Sequence, residues 1–231
     1  MIRYDADDKL RIAPSRCVAK PVVINVGPIN TDYAAAFREE LDRAAHTGQP
    51  LIPIVIDSDG GEIYALLAMV DAIESVRPTH NIATIVHGRA LSCGAVLLAM
   101  GDPGLRFVSP NATVMVHDAW DAAHGKTGVL ESAVRETRRL DDLTNRLMDR
   151  GCGQPDGYWS KVIHERAHAE VYLSPEECIE HKIANHIGLP RLTVGIAVTY
   201  GFELPEIAPP AQARGRGRGK AKGIKKARRA Q

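Results

Sequence analysis

Residues 81–100 read NIATIVHGRALSCGAVLLAM and constrain the architecture of this chain more than any other segment. The run from Asn81 to Val86 predicts a strand, and the apolar run between Ser92 and Met100 predicts a helix. A turn of small residues around Ser92 joins them. This strand–turn–helix lifts a hydroxyl to the end of a sheet and directs the first amides of the helix to the same point. A nucleophile needs both, because attack on a carbonyl creates an oxyanion that requires N–H donors. The alternative is that Ser92 only caps the helix.

The flanking sequence alternates short β-rich runs with helical apolar periodicity. Strands are predicted at 21–26, 51–56, 106–108 and 113–117, and helices at 30–45, 63–76 and 129–150. The first helix begins with the cap-forming residues Asn30, Thr31 and Asp32. This order predicts an α/β fold with right-handed crossovers. The last helix places Asp141 and other charged residues opposite its apolar face. Its length predicts either a subunit contact or a solvated surface helix.

Composition indicates one globular domain with appendages. The chain has 231 residues, of which 45% are apolar and 25% charged. We expect an arm at 1–20, a domain at 21–200, and a Pro-containing linker with a basic tail at 201–231. Residues 214–231 hold nine Lys or Arg and no acid, which leaves the rest of the chain at about −8. Alternating Gly and Arg predict a disordered extension, and we rank nucleic-acid binding by this tail below a solvated role.

The spacing of the cysteines and the length of the apolar runs indicate which cofactors and which cellular compartment to expect. Cys17, Cys93, Cys152 and Cys178 are scattered, without the spacing of a metal site, so we expect reduced thiols in the cytoplasm, no metal and no cofactor. The N-terminal stretch has no apolar segment typical of a signal peptide. No run approaches the roughly 18 apolar residues of a membrane span, and no membrane partner is expected.

Three local features predict a catalytic site. Ser92 is the candidate nucleophile, and His117 ends a predicted strand, where a general base must be reachable. Gly60 and Gly61 follow the strand at 51–56 and allow backbone amides to approach a substrate closely, because glycine has no Cβ. A third, orienting acid is expected between Glu165 and Glu170. Each feature alone has a structural alternative as a cap, a surface histidine or a turn.

Several motifs give the chain a resemblance to a known family. Over about residues 21–190 the sequence resembles the Clp protease proteolytic subunit, a self-compartmentalising serine peptidase. The matching stretches are Gly27–Asn30, Ile56–Gly61, Gly88–Leu98, Ser109–His117 and Tyr172–Ala184. The resemblance implies a crotonase-like spiral of β-β-α units with a protruding long handle helix.

The resemblance also implies residue roles and partners. It places Ser92 as nucleophile, His117 as base and Glu170 as the third member of the triad, with the backbone amides of Gly61 and Cys93 forming the oxyanion hole. The implied activity is endopeptidase cleavage inside a chamber built from one or two heptameric rings of this subunit. An AAA+ unfoldase would feed folded polypeptides to the ring.

The sequence departs from the family pattern at positions near the predicted site. Asp59 replaces a proline in the glycine loop, Asp118-Ala119 replaces Gln-Pro, and His168-Ala169 replaces an acidic–Arg pair. Glu170 stands where the family has aspartate, and Glu165 is a substitute if the register differs. Two other functions therefore stay open: a catalytically weak or silent ring subunit that regulates an active partner, and an acyl-CoA enzyme of the crotonase type.

Overall fold

Strands and helices alternate along the computed structural model, which describes residues 21–191. The strands in this part of the chain are β1 (Ile24–Val26), β2 (Leu51–Ser58), β3 (Asn81–Leu91), β4 (Arg106–Val108), β5 (Thr113–Val116), β6 (Val171–Leu173) and β7 (His186–Ile187). The helices are α1 (Thr31–His46), α2 (Ile63–Val76), α3 (Cys93–Ala99), α4 (Thr127–Cys152), α5 (Tyr158–Glu165) and α6 (Pro175–Glu180). The predicted arm at 1–20 and the linker and tail at 201–231 lie outside the described residues.

Strand β3 organises the sheet because it has two sets of neighbours. The strands β1, β2, β3, β4 and β7 are parallel and lie side by side in this order. The first part of β3 pairs with β4, whereas Arg89–Leu91 pairs in parallel with β5. β5 in turn pairs antiparallel with β6. All seven strands therefore belong to one branched sheet, and this sheet with its helices confirms the predicted α/β spiral with its long helix, α4.

The core lies between the parallel strands and helices α1, α2 and α3. Every residue of α3 is buried, which explains why this helix appears in the sequence as an uninterrupted apolar run. Ile52, Ile54 and Ile56 of β2 are fully buried, and burial of each such side chain stabilises the fold by about 1.5–3 kcal/mol. The apolar packing therefore fixes the strand ends from which the site projects.

Helix boundaries follow local signals where those are strong. Asn30 caps α1, as expected, because its Oδ1 accepts a hydrogen bond from the amide of Tyr33 at 3.0 Å. The predicted helix at 63–76 coincides with α2. The predicted turn at Ser92 is present, but the predicted strand at 81–86 was too short, because β3 continues to Leu91, with Arg89–Leu91 paired to β5 and Ala90 to Ser58.

The two halves of helix α4 differ in how far their apolar side chains are buried. Leu147, Met148 and Cys152 of its C-terminal half are buried, whereas Val129 and Val134 of its N-terminal half are 53% and 50% exposed. Its N-terminal half therefore presents an unpaired apolar face. None of the helices in residues 21–191 combines the length and hydropathy that crossing a membrane requires.

Helix α5 was not predicted from the sequence, and a buried acid fixes its start. Asp149 is 1% exposed and accepts hydrogen bonds from the amides of Gly157, at 2.7 Å, and Trp159, at 3.0 Å. These bonds satisfy N–H groups that have no partner within the helix. A capping box between Ser174 and Glu177 similarly begins α6.

Candidate active site

Ser92 occupies a strained turn between β3 and α3. Its backbone has φ 55° and ψ −120°, in a region that residues other than glycine rarely adopt. The amide of Ser92 donates to the carbonyl of Met115 at 2.8 Å, which ties the turn to β5. Although Ser92 stands at the N-cap position of α3, its side chain forms no capping hydrogen bond. The alternative that Ser92 serves as a side-chain cap is therefore wrong, and its hydroxyl is free for other contacts.

That hydroxyl contacts His117. The Nε2 atom of His117 lies 2.8 Å from Ser92 Oγ, a hydrogen-bonding distance. The contact follows from the sheet, since Leu91 pairs with Met115 and both strands end beside one another. Ser92 and His117 are both partly exposed. A base at this distance can remove the serine proton when the hydroxyl attacks an electrophile.

The loop after β2 packs against the serine turn. Gly60 is buried with φ 92°, and a Cβ on it would lie 2.8 Å from Ser92 Cβ and 3.2 Å from the amide nitrogen of Cys93. The Cys93 thiol donates to the carbonyl of Gly61 at 3.2 Å. Within residues 21–191, neither the Gly61 amide nor the Cys93 amide donates to a protein acceptor. Two adjacent free N–H groups can stabilise developing negative charge on an oxygen.

The Asp59 carboxylate in the glycine loop contacts Arg89. Oδ1 of Asp59 lies 2.9 Å from Nη1 of Arg89, and Nε of the same guanidinium lies 3.6 Å from Oδ1 of Asp57. Arg89 therefore links the glycine loop to β3 and neutralises the carboxylate that replaces the proline.

Glu170 lies beside His117 in the strand register but does not bond to it. Val116 pairs with Val171 in the antiparallel ladder, so His117 and Glu170 are the next two residues to face each other. Glu170 is exposed, and no hydrogen bond joins it to His117. The substitute Glu165 lies on α5, with its carboxylate 3.7 Å from Lys161. The role of Glu170 as the third member of the triad stays a prediction.

Asp141 was assigned to the polar face of α4, but it is half-buried beside the site. Its carboxylate accepts a hydrogen bond from the amide of Ala119, two residues after His117. Burial raises the pKa of this carboxyl. Its spacing to Thr144, Asn145 and Met148 places all four residues on one helical face, which is the signal that could have identified it.

A shallow, open cleft lies at Ser92 and His117. Apolar side chains from helices α2–α5, from β5 and from the loop after it line this cleft, namely Ile63, Val96, Met148, Ile163, Val116 and Ala119. The Cys93 thiol is a poor competitor for an electrophile here, because burial raises its pKa to about 11. No cluster of metal-ligating side chains occurs in residues 21–191. The geometry supports acyl transfer to a serine hydroxyl.

Comparisons with known proteins agree with this chemistry. A family model described as Clp protease matches residues 10–191. Proteins from three strains of Dehalococcoides mccartyi, each named ATP-dependent Clp protease proteolytic subunit, are 35% identical over 136 residues. The matched part is 59% of this chain, and it spans 65% of the length of each relative.

Proposed function

Because the chain belongs to the Clp protease family, we propose that it is the proteolytic subunit of an ATP-dependent chambered protease. In this proposal it is a serine endopeptidase that cleaves polypeptides through an acyl-enzyme on Ser92. The observation that carries the proposal is the 2.8 Å contact between Ser92 Oγ and His117 Nε2, made by a serine with φ 55° and no capping bond.

The first half of the proposed reaction forms the acyl-enzyme. Ser92 Oγ attacks the peptide carbonyl carbon while its proton moves to His117 Nε2. The carbonyl oxygen becomes an oxyanion and accepts hydrogen bonds from the free amides of Gly61 and Cys93. Collapse of this intermediate breaks the C–N bond, and the leaving amine takes the proton from His117. The acyl group then remains as an ester on Ser92.

The second half releases the acyl group. Water attacks the ester while His117 accepts its proton, and the proton returns to Ser92 Oγ as the carboxylic acid leaves. In this proposal Glu170 orients the imidazole by accepting a hydrogen bond from its other nitrogen. Its support is the ladder register, which makes Glu170 the residue that faces His117. The contact would form through a rotamer change of an exposed side chain.

Assembly and partners follow from the same proposal. The exposed apolar face of the N-terminal half of α4 supports contact with another copy of the chain, in one or two heptameric rings. An AAA+ unfoldase would deliver folded substrates. The thiols of Cys93, Cys152 and Cys178 are unpaired, which supports a reducing compartment such as the cytoplasm.

A fluorophosphonate probe tests the activity directly, because it reacts with an activated serine. We expect labelling of the full chain at Ser92 and cleavage of fluorogenic peptides. Ser92→Ala should abolish both and leave assembly unchanged. Ser75→Ala is the matched control, since the Ser75 hydroxyl bonds only to a carbonyl within α2.

The silent ring subunit is the second candidate, and the exposure of Glu170 without a bond to His117 favours it. It predicts an assembled chain that the probe does not label. Equal peptide cleavage by the parent and by Ser92→Ala would exclude the assignment of Ser92 as nucleophile.

A further inference from the structure

Two residues that depart from the family pattern contact each other next to the site. His168 Nδ1 lies 2.5 Å from Asp118 Oδ2, although the residues are 50 positions apart in the chain. Asp118 directly follows His117, and His168 precedes Glu170 by two residues. We call this pair the Asp118–His168 clasp.

The clasp lies where the ladder between β5 and β6 ends. The last paired residues are Val116 and Val171, and beyond them the two chains carry His117 and Glu170 without further strand pairing. Such an end frays unless a side-chain contact holds it. The clasp supplies this contact immediately beyond the two residues whose alignment the reaction requires.

Both sides of the clasp are themselves held in place. Ala167 and His168 have φ 55° and 61°, and the amide of His168 donates to the carbonyl of Ile163 at the end of α5. The ring of His164 lies 4.0 Å from the ring of His168. On the other side, Asp141 accepts the Ala119 amide. The clasp therefore connects a segment anchored on α5 with a segment anchored on α4.

We propose that Asp118 and His168 are positioning residues that align the Glu170 segment with His117. This inference rests on the proposed peptidase function. The side chains of Asp118 and His168 are 34% and 51% exposed, and polar side-chain pairs at such exposure contribute little to the free energy of unfolding. The principal effect of the clasp is therefore on the rate of acylation, because small misplacements of catalytic groups are costly.

The test uses Asp118→Ala, His168→Ala, the double variant and the conservative His168→Asn in the full chain. Asparagine keeps an N–H donor near the position of Nδ1 and tolerates a left-handed backbone better than other residues. The readouts are kcat and KM for a fluorogenic peptide, the rate of fluorophosphonate labelling at Ser92, and the urea midpoint. Asp42→Ala and His46→Ala are matched controls, because these residues form an exposed Asp–His pair within α1.

We expect each single alanine variant to lower kcat and the labelling rate about ten-fold, with KM within about two-fold of the parent. The double variant should fall no further, because both changes remove one contact. His168→Asn should recover most of the rate, and the control variants should match the parent.

Three outcomes overturn the inference. The clasp is excluded as a positioning device if kcat is unchanged in the alanine variants. It is also excluded if the losses of kcat multiply in the double variant, or if a fall in the urea midpoint accounts for the lost activity. If the parent is labelled at Ser92, such a result leaves the peptidase function intact. An unlabelled parent overturns the peptidase function and the clasp together.

Discussion

Gly60→Ala should destabilise the chain and inactivate Ser92, whereas the matched Gly48→Ala should only destabilise it. Both glycines have positive φ, 92° at Gly60 and 79° at Gly48. A Cβ at Gly48 would meet nothing within 4 Å, whereas one at Gly60 would lie 2.7 Å from the carbonyl oxygen of Leu91 and 2.8 Å from Ser92 Cβ. The eight-residue strand β2 separates the two positions, so Gly48 is about 25 Å from the site.

The expected magnitudes follow from these contacts. A left-handed conformation costs alanine about 1–2 kcal/mol, of which about 0.5–1 kcal/mol is offset by the lower entropy of its unfolded chain. Gly48→Ala should therefore lose about 1 kcal/mol. Overpacking adds about 1–3 kcal/mol at Gly60, so that Gly60→Ala should lose about 2–4 kcal/mol. The added Cβ would lie 2.8 Å from Ser92 Cβ, whereas an ordinary contact is at least 3.4 Å, so Ser92 Cβ must move by about 0.6 Å. A shift of this size should slow acylation at least about ten-fold.

Urea denaturation at a fixed protein concentration measures the free energy of unfolding of each variant, provided that the slope m is the same for all of them. Fluorophosphonate labelling, at urea concentrations where all variants are folded, measures the effect on Ser92. Equal losses of stability in the two variants, together with parental labelling by Gly60→Ala, would refute the packing of the glycine loop against the serine turn.

Arg89→Ala should lower the labelling rate about three- to ten-fold but the free energy of unfolding by less than about 1 kcal/mol, because it frees the exposed Asp59 carboxylate in the loop that carries the Gly61 amide. Asp59→Asn in the Arg89→Ala background should restore the rate, and failure to do so would contradict an electrostatic cause. A separate prediction concerns pH: burial raises the pKa of the Cys93 and Cys152 thiols to about 11 and that of Cys178 to about 12, against about 8.5 in an unfolded chain. As the pH rises, the thiols therefore lose their protons in the unfolded state before they do so in the folded state. Below about pH 8.5 they should not affect the free energy of unfolding. Between about pH 8.5 and 11 this free energy should fall by up to about 1.4 kcal/mol per pH unit for each thiol. Urea titrations at several alkaline pH values should show a shallower fall for Cys152→Ala, and an unchanged slope would contradict the burial argument.

The parts of the fold that depend on local chemistry were predictable. The cap at Asn30 and the helix at 63–76 agree with the structure, because side-chain capping and apolar periodicity act over a few residues. The contact between Ser92 and His117 also followed, since both were expected at the ends of strands. Such positions meet whenever the strands are neighbours and share a direction.

The parts that depend on distant partners were not predictable. Gly88 and Arg89 have little strand propensity, and they are extended only because Arg89–Leu91 finds β5 as a partner. The half-burial of Asp141 depends on the loop after His117 folding onto α4. Periodicity within one element does not show that β5 pairs with Arg89–Leu91, which explains why β3 was predicted too short. The spacing of Asp141 identifies the helical face on which it lies, but not the loop that covers this face.

Three of the residues that depart from the family pattern, Asp59, Asp118 and His168, contact a polar side chain next to the site, and this bears on the choice between an active and a silent subunit. Asp59 replaces a proline and is held by Arg89, while Asp118 and His168 both differ from the usual residues and are held by each other. In this chain Arg89 contacts Asp59 and His168 contacts Asp118, and each contact holds a loop that carries part of the proposed catalytic machinery. The arrangement favours a peptidase that holds these loops by polar contacts in place of the family's proline and acidic–Arg pair.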